Sequence, residues 1–310
     1  GAFAWVLRKF MNISGSEGLV AAGNIFMGMT ESPVLIKNYL PTMNRSEIFL
    51  VMVSGMGTIA GSVMGTYIGM LGGTDPAAKV LFATHLLSAS VMAVPGSIVL
   101  AKMLCPQTEE ATDHVAISGK EKENSNILDA ISSGTVTGVK LMTNIAAMLL
   151  VFISLVALAN YITEGVIGRY TGLNDWIVKI TDGKAQGLTF QFILGVITSP
   201  FMWLIGVPSQ DIMLVGSLLG QKTILNEFVA YFQLQQWKDA GLFMYEKSIL
   251  MSTYILCGFA NISSIGILLG GLGVLAPEKR GLISRIGVPA MIGGALVSVL
   301  SATIIGMILG

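Results

Sequence analysis

Long apolar runs, separated by short polar or charged breaks, occupy most of this chain. Residues 48–74 contain no charged side chain. At about 1.5 Å per residue they would form a helix of roughly 40 Å, long enough to cross a bilayer. Four further runs are almost as apolar. The pattern therefore predicts membrane-spanning helices within residues 46–74, 80–104, 141–162, 248–277 and 286–309.

Two of these runs are interrupted near the middle by small and hydroxylic residues, at residues 54–62 and 258–264. Small residues let two helices approach closely, and close packing explains residues 54–62 as well as a break in the helix does. Non-helical backbone at membrane depth is tolerated only where it is buried in protein or lines a water-filled cavity. Breaks at these two places would therefore mark a binding site.

A polar, glycine-broken segment at residues 23–33 (GNIFMGMTESP) precedes the first interrupted run. A carboxylate near the bilayer centre costs roughly 2.5–3.5 kcal/mol on insertion scales, so Glu31 indicates a functional site with a partner to be found. Pro33 lacks a backbone N–H group and disfavours helix at Ser32. The segment predicts two short helices that meet at a non-helical tip, the second running from Pro33 to Tyr39.

The same theme returns at residues 218–231, where an apolar helix meets a polar tip, the carboxylate of Glu227 and another helix. Before it, residues 188–207 are apolar, and a break is expected at Ser199 and Pro200. An interrupted span and a final span follow, in the same order as in the first part of the chain. Paired interrupted segments in two halves indicate a transporter whose site lies at the interface of two repeats.

The order of these segments divides the chain into two repeats, which are expected to be inverted relative to each other. The first is residues 14–104, with a re-entrant hairpin at 14–41, an interrupted span at 46–74 and a span at 80–104. The second is residues 188–309, with a re-entrant hairpin at 190–234, an interrupted span at 248–277 and a span at 286–309. Residues 1–13 are expected to end a scaffold or interfacial helix, and residues 105–187 to hold a charged loop, an interfacial helix and the scaffold span 141–162.

Helix starts are marked by two capping-box patterns. Ser14 and Glu17 stand three residues apart, as do Asn44 and Glu47. In such a pair each side chain bonds the backbone N–H of the other residue, which satisfies two donors that a helix start leaves open. The two patterns predict that helices begin just after Ser14 and Asn44.

Composition settles the class of protein. Hydrophobic residues make up 53% and charged residues 12% of the 310 residues, about half the charged fraction of soluble domains. The expected fold class is an all-α integral membrane protein, with transmembrane helices and two re-entrant helical hairpins in two inverted repeats. The formal net charge of +0 gives no indication of a nucleic-acid partner. Cys105 and Cys257 are too few for a disulfide framework or a metal cage and are interpreted as packing residues.

Three segments carry a resemblance to a known family: residues 24–33 (NIFMGMTESP), 226–231 (NEFVAY) and 258–267 (GFANISSIGI). In order, they resemble the first hairpin, the second hairpin and the interrupted helix of the concentrative nucleoside transporters, and the resemblance covers nearly the whole chain. It implies a bacterial secondary transporter that forms a homotrimer in the cell (inner) membrane, crosses the lipid bilayer several times and moves a transport domain against a scaffold. Family members carry further helices before the first hairpin, so the chain is expected to be a fragment.

The resemblance also implies a nucleoside site. The ribose would be held by Glu227, Asn261 and Ser264, because its vicinal hydroxyls can donate to a carboxylate and accept from an amide or hydroxyl. The base would lie against the first hairpin and two packing residues. These positions are Gly28, Met29, Thr30, Glu31, Val63 and Phe259.

The coupling ion implied by the resemblance is sodium, bound between the first hairpin and the helix that follows. The matching positions are Asn24, Met27, Thr58, Ile59 and Ser62. Hard cations take oxygen ligands, so Met27 and Ile59 could serve only through their backbone carbonyls. No other cofactor is expected. A proton carried by Glu31 is the alternative coupling ion.

Met29 bears on the choice of substrate. Many family members have glutamine at this position, which can donate to and accept from a base edge, whereas methionine is an adaptable apolar side chain. Methionine here resembles the purine-preferring branch of the family and favours purine nucleosides. Selectivity set elsewhere in the site is the alternative interpretation.

Two other classes of function were weighed against a symporter. An intramembrane hydrolase needs a nucleophile within reach of an activating base, but His85 and His114 are the only histidines and no serine lies in a nucleophile-elbow pattern. A channel would also line its pore with polar groups. Two matched hairpins that close one site favour alternating access.

Overall fold

A computed structural model of the chain describes residues 11, 13–109, 154–181, 183 and 185–310, with a few residues between 128 and 151 (128–129, 131–132, 135–136, 139 and 150–151). The chain divides into two compact units, residues 1–114 with 193–310 and residues 115–192. Every regular element of the described residues is helical, as predicted. The predicted helices at residues 3–13, 127–140 and 141–162 and the charged loop 105–126 lie mostly outside the described residues.

The described residues in the first half of the larger unit form four α-helices. α1 and α2 begin at the two predicted capping boxes, Ser14 with Glu17 and Asn44 with Glu47. Residues 58–60 separate α2 from α3, so the first interrupted run is a broken helix. The elements are α1 (Gly15–Gly23), a 3-10 helix (Ser32–Ile36), α2 (Arg45–Gly57), α3 (Gly61–Gly72) and α4 (Pro76–Leu104).

The segment after Pro33 differs from the prediction of an α-helix that reaches Tyr39. The chain forms only a short 3-10 helix there, in which the Lys37 N–H bonds the Val34 carbonyl three residues back (3.2 Å). Turns follow it, and Pro41 cannot continue a helix. The short helix predicted from Pro33 to Tyr39 is thus of the 3-10 type and ends at Ile36.

The smaller unit, residues 115–192, contains a π-helix (Tyr161–Gly168) followed by α5 (Leu173–Ile180). The side chain of Asn174, in the first turn of α5, bonds the chain before α5 and the chain after it. Its Nδ2 donates to the Glu164 carbonyl (3.0 Å), and its Oδ1 accepts from the Leu188 N–H (3.0 Å). The amide thus satisfies backbone groups on both sides of α5.

The second half of the larger unit repeats the order of the first. A hairpin precedes a broken helix, which residues 257–261 interrupt, and a long helix follows. The halves of the broken helices have 13 and 12 residues in one case and 11 and 14 in the other, and both long helices have 29 residues. The elements are α6 (Phe190–Leu204), α7 (Ile212–Ile224), α8 (Glu227–Asp239), α9 (Glu246–Leu256), α10 (Ile262–Leu275), a 3-10 helix (Pro277–Lys279) and α11 (Arg280–Ile308).

The predicted break at Ser199 and Pro200 is wrong, since α6 continues through both residues. Two hydroxyl groups next to the proline bond carbonyl groups of the preceding turn. Ser199 Oγ donates to the Gly195 carbonyl (2.6 Å) and Thr198 Oγ1 to the Leu194 carbonyl (2.8 Å). In apolar helices such side-chain bonds satisfy backbone acceptors near a proline.

Helices of the two halves pack against each other. α11 lies against α2 and α9, and α9 also contacts α4. Glycine permits the close approach of α11 to α2, because a Cβ added at Gly294 would lie 2.7 Å from Met56 Cβ. The apolar core is therefore shared between the halves.

Near the start of each hairpin, a buried carboxylate bonds a group of a neighbouring segment. Glu17 is 1% exposed and forms an ion pair with Lys102 of α4. Asp211 is fully buried and accepts from the N–H groups of Met244 (3.0 Å) and Tyr245 (3.1 Å), just before α9. These contacts fix where each hairpin starts relative to its neighbours.

Three helical stretches of the described residues are long and apolar enough to cross a membrane: Arg45–Gly72, Pro76–Leu104 and Pro277–Ile308. They include the predicted spans at 46–74, 80–104 and 286–309. The predicted span at 248–277 consists of two shorter helices, α9 and α10. The re-entrant course of the hairpins and the inverted orientation of the repeats stay predictions.

Candidate functional site

The breaks in the two broken helices touch. The Phe259 N–H, in the second break, donates to the Thr58 carbonyl oxygen in the first (3.2 Å). Gly258 permits this contact, because an added Cβ would lie 3.0 Å from the Met56 carbonyl oxygen. Two segments of non-helical backbone are thus brought together between the halves, as expected for a binding site inside an apolar protein.

Glu227 places a buried carboxylate beside the second break. It is the first residue of α8 and follows Asn226, whose Oδ1 accepts from the Val229 N–H (2.9 Å) and caps the helix. Glu227 is 7% exposed. Its Oε1 accepts from the Tyr67 hydroxyl (3.2 Å) and its Oε2 from Asn261 Nδ2 (3.0 Å). The carboxylate therefore joins α3, α8 and the second break.

Asn261 is held in place by the helix that it starts. Its Oδ1 accepts from the Ser264 N–H (2.9 Å), the Ser264 hydroxyl (3.0 Å) and the Ser263 hydroxyl (2.6 Å). This leaves the Nδ2 group directed at Glu227. The sequence resemblance assigned Glu227, Asn261 and Ser264 to one site, and the structure brings these three side chains together.

Tyr67 contacts Glu227 but was not among the predicted site residues. It is fully buried and stacked on Tyr231, with ring centroids 4.1 Å apart. The Tyr231 hydroxyl donates to the Thr253 carbonyl (2.8 Å). A tyrosine in an apolar helix needs a hydrogen-bond partner for its hydroxyl, and this need was the one signal in the sequence that could have identified Tyr67. The sequence does not reveal the partner, because Glu227 lies 160 positions away.

The Glu227 carboxylate can accept more hydrogen bonds than it has. An ionised carboxylate offers about four acceptor positions, and two donors, Tyr67 and Asn261, are directed at it. Part of its acceptor capacity thus remains for a ligand. A pair of neighbouring hydroxyl groups would fit this capacity, because each can donate one hydrogen bond.

Asn24 carries a second polar group whose hydrogen bonding is incomplete. It lies fully buried at the end of α1, and its Nδ2 donates to Ser54 Oγ in α2 (3.0 Å). Its Oδ1 is buried without a hydrogen-bond partner among the described residues. Buried polar atoms are almost always paired, so an unpaired amide oxygen indicates a missing ligand such as a cation or water.

The other predicted ion ligands differ in their burial. Thr58 and Ile59 are buried in the first break, and Thr58 Oγ1 donates to the Ser54 carbonyl (2.9 Å). Met27 is partly buried, whereas Ser62 is exposed in the first turn of α3. Sequence reasoning missed Ser54, the residue that contacts Asn24 directly, because a serine inside a helix has no distinguishing pattern.

The tip of the first hairpin reaches both broken helices. Met29 is 7% exposed, and Gly55 of α2 leaves room for it, since a Cβ added there would lie 2.9 Å from Met29 Cβ. Thr30 lies near α10, where a Cβ added at Gly271 would be 3.5 Å from Thr30 Cγ2. The tip is therefore positioned between the first and the second half.

Glu31 differs from the buried carboxylate of Glu227. Glu31 is exposed, and its carboxylate lies over Gly28. Within the described part of the chain this carboxylate has no hydrogen-bond or ion-pair partner. Val63 and Phe259 are partly buried against one apolar cluster. The protein thus supplies no partner for Glu31 in the described residues.

Comparison with known families gives two matches. Residues 85–306 match the family described as "Na+ dependent nucleoside transporter C-terminus", and residues 1–74 match the family described as "Nucleoside recognition". Together they cover most of the chain, including both hairpin tips and both breaks.

Named relatives and solved structures agree with these matches. An "Uncharacterized transporter" of Haemophilus influenzae is 39% identical over 98% of this chain, which covers 68% of that protein. "Sodium/nucleoside cotransporter 1" of Rattus norvegicus is 39% identical over 98% of this chain, which covers 46% of it. The structure of CNTnw in an inward-facing substrate-bound state has a TM-score of 0.82 and 35% identity, over 100% of this chain and 69% of that one. A variant of CNTnw in an outward-facing state gives 0.85 and 35%, over 99% and 68%.

Proposed function

Since this chain belongs to the family of Na⁺-dependent nucleoside transporters, whose members are transporters and not enzymes, we propose that it is a symporter that carries nucleosides across a membrane together with sodium. The observation that carries the proposal is the Glu227 carboxylate, held by Tyr67 and Asn261 beside the contact of the two breaks. Alternating access between the two sides of the membrane is the proposed mode of transport.

The ribose binds at Glu227, Asn261 and Ser264 in this proposal. Glu227 has acceptor capacity for two hydroxyl donors, and Asn261 is fixed by the N-terminal turn of α10. A site built for hydroxyl groups discriminates against sugars that lack them, because its buried polar atoms would stay unpaired.

The base lies against the first hairpin in this proposal, with Gly28, Met29, Thr30 and Glu31 on one side and Val63 and Phe259 packing near it. Met29 offers an apolar, polarisable surface and no hydrogen-bond donor. We therefore propose a preference for purine nucleosides, whose larger ring system gains more from apolar contact.

The sodium ion is proposed to bind at Asn24 and Thr58, with the carbonyl oxygens of Met27 and Ile59 and the hydroxyl of Ser62. The unpaired Asn24 Oδ1 fits a hard cation, which takes oxygen ligands. The positive charge of the bound ion would interact with Asn24 Oδ1 and with the carbonyl oxygens of the first break.

Coupling between ion and nucleoside follows from two backbone contacts. The Gly61 N–H donates to the Phe26 carbonyl (3.0 Å), which ties the first tip to the first break, and the Phe259 N–H donates to the Thr58 carbonyl (3.2 Å), which ties the first break to the second. An ion that orders the first break therefore favours the conformation of the second break, next to Glu227.

The assembly proposed is a homotrimer in the cell (inner) membrane, in which the hairpins enter the bilayer without crossing it. The three long apolar stretches support a membrane location. The trimer and the specific membrane rest on membership of the family.

Uptake into proteoliposomes tests the proposed function. With an inward sodium gradient, the purified protein should accumulate adenosine above its external concentration, and replacement of sodium by choline should abolish accumulation. Accumulation driven by a pH gradient in choline would make the proton the coupling ion. Equilibration without accumulation under any gradient would indicate a channel, and no saturable uptake would refute nucleoside transport.

A further inference from the structure

A buried lysine in the second hairpin lies where the first hairpin has Asn24. Lys222 is in the last turn of α7 and is fully buried. Asn24 follows directly after α1, the first helix of the other hairpin. Each residue thus lies where the first helix of its hairpin gives way to the tip.

Both residues are directed at the end of a broken helix. Asn24 Nδ2 donates to Ser54 Oγ, in the last turn of α2. Lys222 Nζ donates to the carbonyl oxygen of Ile255 (2.7 Å), in the last turn of α9. The two halves therefore join hairpin to break in the same way, by a side chain from the hairpin and a group in the turn before the break.

Lys222 also reaches the break through α11. Its Nζ donates to Ser298 Oγ (3.0 Å), and Ser298 Oγ is within bonding distance of the Cys257 carbonyl (3.2 Å), the first residue after α9. Helix C-termini carry a partial negative charge from their unpaired carbonyl groups, and a cation there is stabilising. The ammonium group therefore satisfies the carbonyl end of α9.

No carboxylate of the described residues forms an ion pair with Lys222. The described ion pairs include those of Lys102 with Glu17 and of Lys238 with Asp239. A buried charge that is not paired is costly, and it persists only where polar groups are arranged around it. The polar groups here are the carbonyl of Ile255 and the hydroxyl of Ser298.

We propose that Lys222 is a covalently attached cation that does for the second break what the sodium ion does for the first. It holds the carbonyl end of α9, so that residues 257–261 keep the course that presents Asn261 to Glu227. The second half then needs no ion of its own, and one sodium ion per nucleoside suffices. This inference rests on the proposed function, because the comparison requires an ion at Asn24.

Nucleoside binding to the purified protein, measured by calorimetry at fixed sodium, tests the role of Lys222. Lys222→Met keeps much of the length of the side chain without its charge and should weaken adenosine binding by about tenfold or more, the size of a typical coupling between sites. Lys279→Met is the matched control, since Lys279 Nζ also donates to a backbone carbonyl, that of Met43 (2.8 Å), but away from the site. It should leave the affinity unchanged.

Rescue by a small amine separates charge from shape. Lys222→Ala should bind adenosine weakly, and ethylammonium chloride should restore binding and raise thermal stability, whereas choline chloride, which is too large for the space, should not. Wild-type affinity in Lys222→Met, or equal effects of ethylammonium and choline on Lys222→Ala, would overturn the proposal. A wild-type protein that binds no nucleoside would instead refute the proposed function.

Discussion

The tips of the two hairpins differ in how completely their buried polar groups are paired. At the second tip, both oxygens of Glu227 accept hydrogen bonds and Lys222 Nζ donates two. At the first tip, Asn24 Oδ1 is buried without a partner in the described residues. The polar groups at the second tip are thus paired by the protein's own side chains, while at the first tip one buried oxygen is left open for the proposed ion.

We infer from this difference that the two halves have different roles, one in discriminating between substrates and the other in responding to an ion. A preformed site loses little conformational entropy when it binds and can therefore discriminate between substrates. An incomplete site changes when its ligand arrives, so it is suited to respond to an ion. The predictions below test each half in turn.

Removal of the carboxylate should have the largest effect. Glu227→Ala leaves Asn261 Nδ2 and the Tyr67 hydroxyl without their acceptor and removes the group proposed to receive two ribose hydroxyls. We expect uptake of ribonucleosides to fall by about 100-fold or more, since two ribose hydroxyls would each lose a hydrogen bond to a charged group, which contributes about 1.5–3 kcal/mol.

Radiolabelled uptake into proteoliposomes measures this effect. Glu278→Ala is the control, because Glu278 is exposed and should tolerate the change. Uptake by Glu227→Ala at the wild-type rate would place the sugar site elsewhere.

Loss of the Asn24 amide should be the next largest effect. Asn24→Ala removes the unpaired Oδ1, and the sodium concentration for half-maximal uptake should rise about tenfold, within the usual range of such couplings. Ser54→Ala is the comparison variant, since it removes the bond to Asn24 Nδ2 but keeps the oxygen. It should shift the sodium curve less. Identical curves for Asn24→Ala and wild type would contradict the ligand role of Asn24.

Loss of the Tyr67 hydroxyl should have a moderate effect on the affinity for nucleoside. Tyr67→Phe keeps the ring stacked on Tyr231 but removes the hydrogen bond to Glu227, a bond of about 1.5–3 kcal/mol because the acceptor is charged. Affinity for nucleoside should fall several-fold at unchanged sodium dependence, as measured by calorimetry. Tyr231→Phe loses a bond to a carbonyl instead and should lower thermal stability without this loss of affinity. A Tyr67→Phe protein with wild-type affinity would show that the hydroxyl does not position the carboxylate.

Substrate choice at Met29 should give the smallest effect. Met29→Gln introduces a donor and an acceptor at the first tip and should raise uptake of uridine relative to adenosine by a few-fold, about 1 kcal/mol for one added hydrogen bond. Competition by a panel of nucleosides measures the ratio. An unchanged ratio would mean that selectivity is set elsewhere.

Local signals in the sequence predicted two helix starts and the break at residues 258–264, while residues 54–62 were equally compatible with close packing and with a break. The capping boxes at Ser14 and Asn44 and the small residues near Ser54 act within a few positions, so their effect can be predicted from neighbours in the chain. The effect of proline was harder to predict. Pro200 lies inside α6 although its missing N–H group leaves the Val196 carbonyl without its usual helical donor.

Contacts between residues far apart in the chain could not be predicted from the sequence. Tyr67 with Glu227 and Lys222 with Ser298 join residues that are 160 and 76 positions apart. Nothing in the local pattern of either partner identifies the other, because the fold alone brings them together. The resemblance to a family supplied Glu227, Asn261 and Ser264 as one group, but it did not supply the residues that hold them.

The account depends on a link between the ion at the first tip and the nucleoside at the second. Calorimetric titration of adenosine into the purified protein at a series of sodium concentrations, balanced with choline, measures that link directly. We expect affinity to rise about tenfold with sodium in the wild type, and Asn24→Ala to need about tenfold more sodium for the same rise in affinity. An adenosine affinity that is the same with and without sodium would contradict the account.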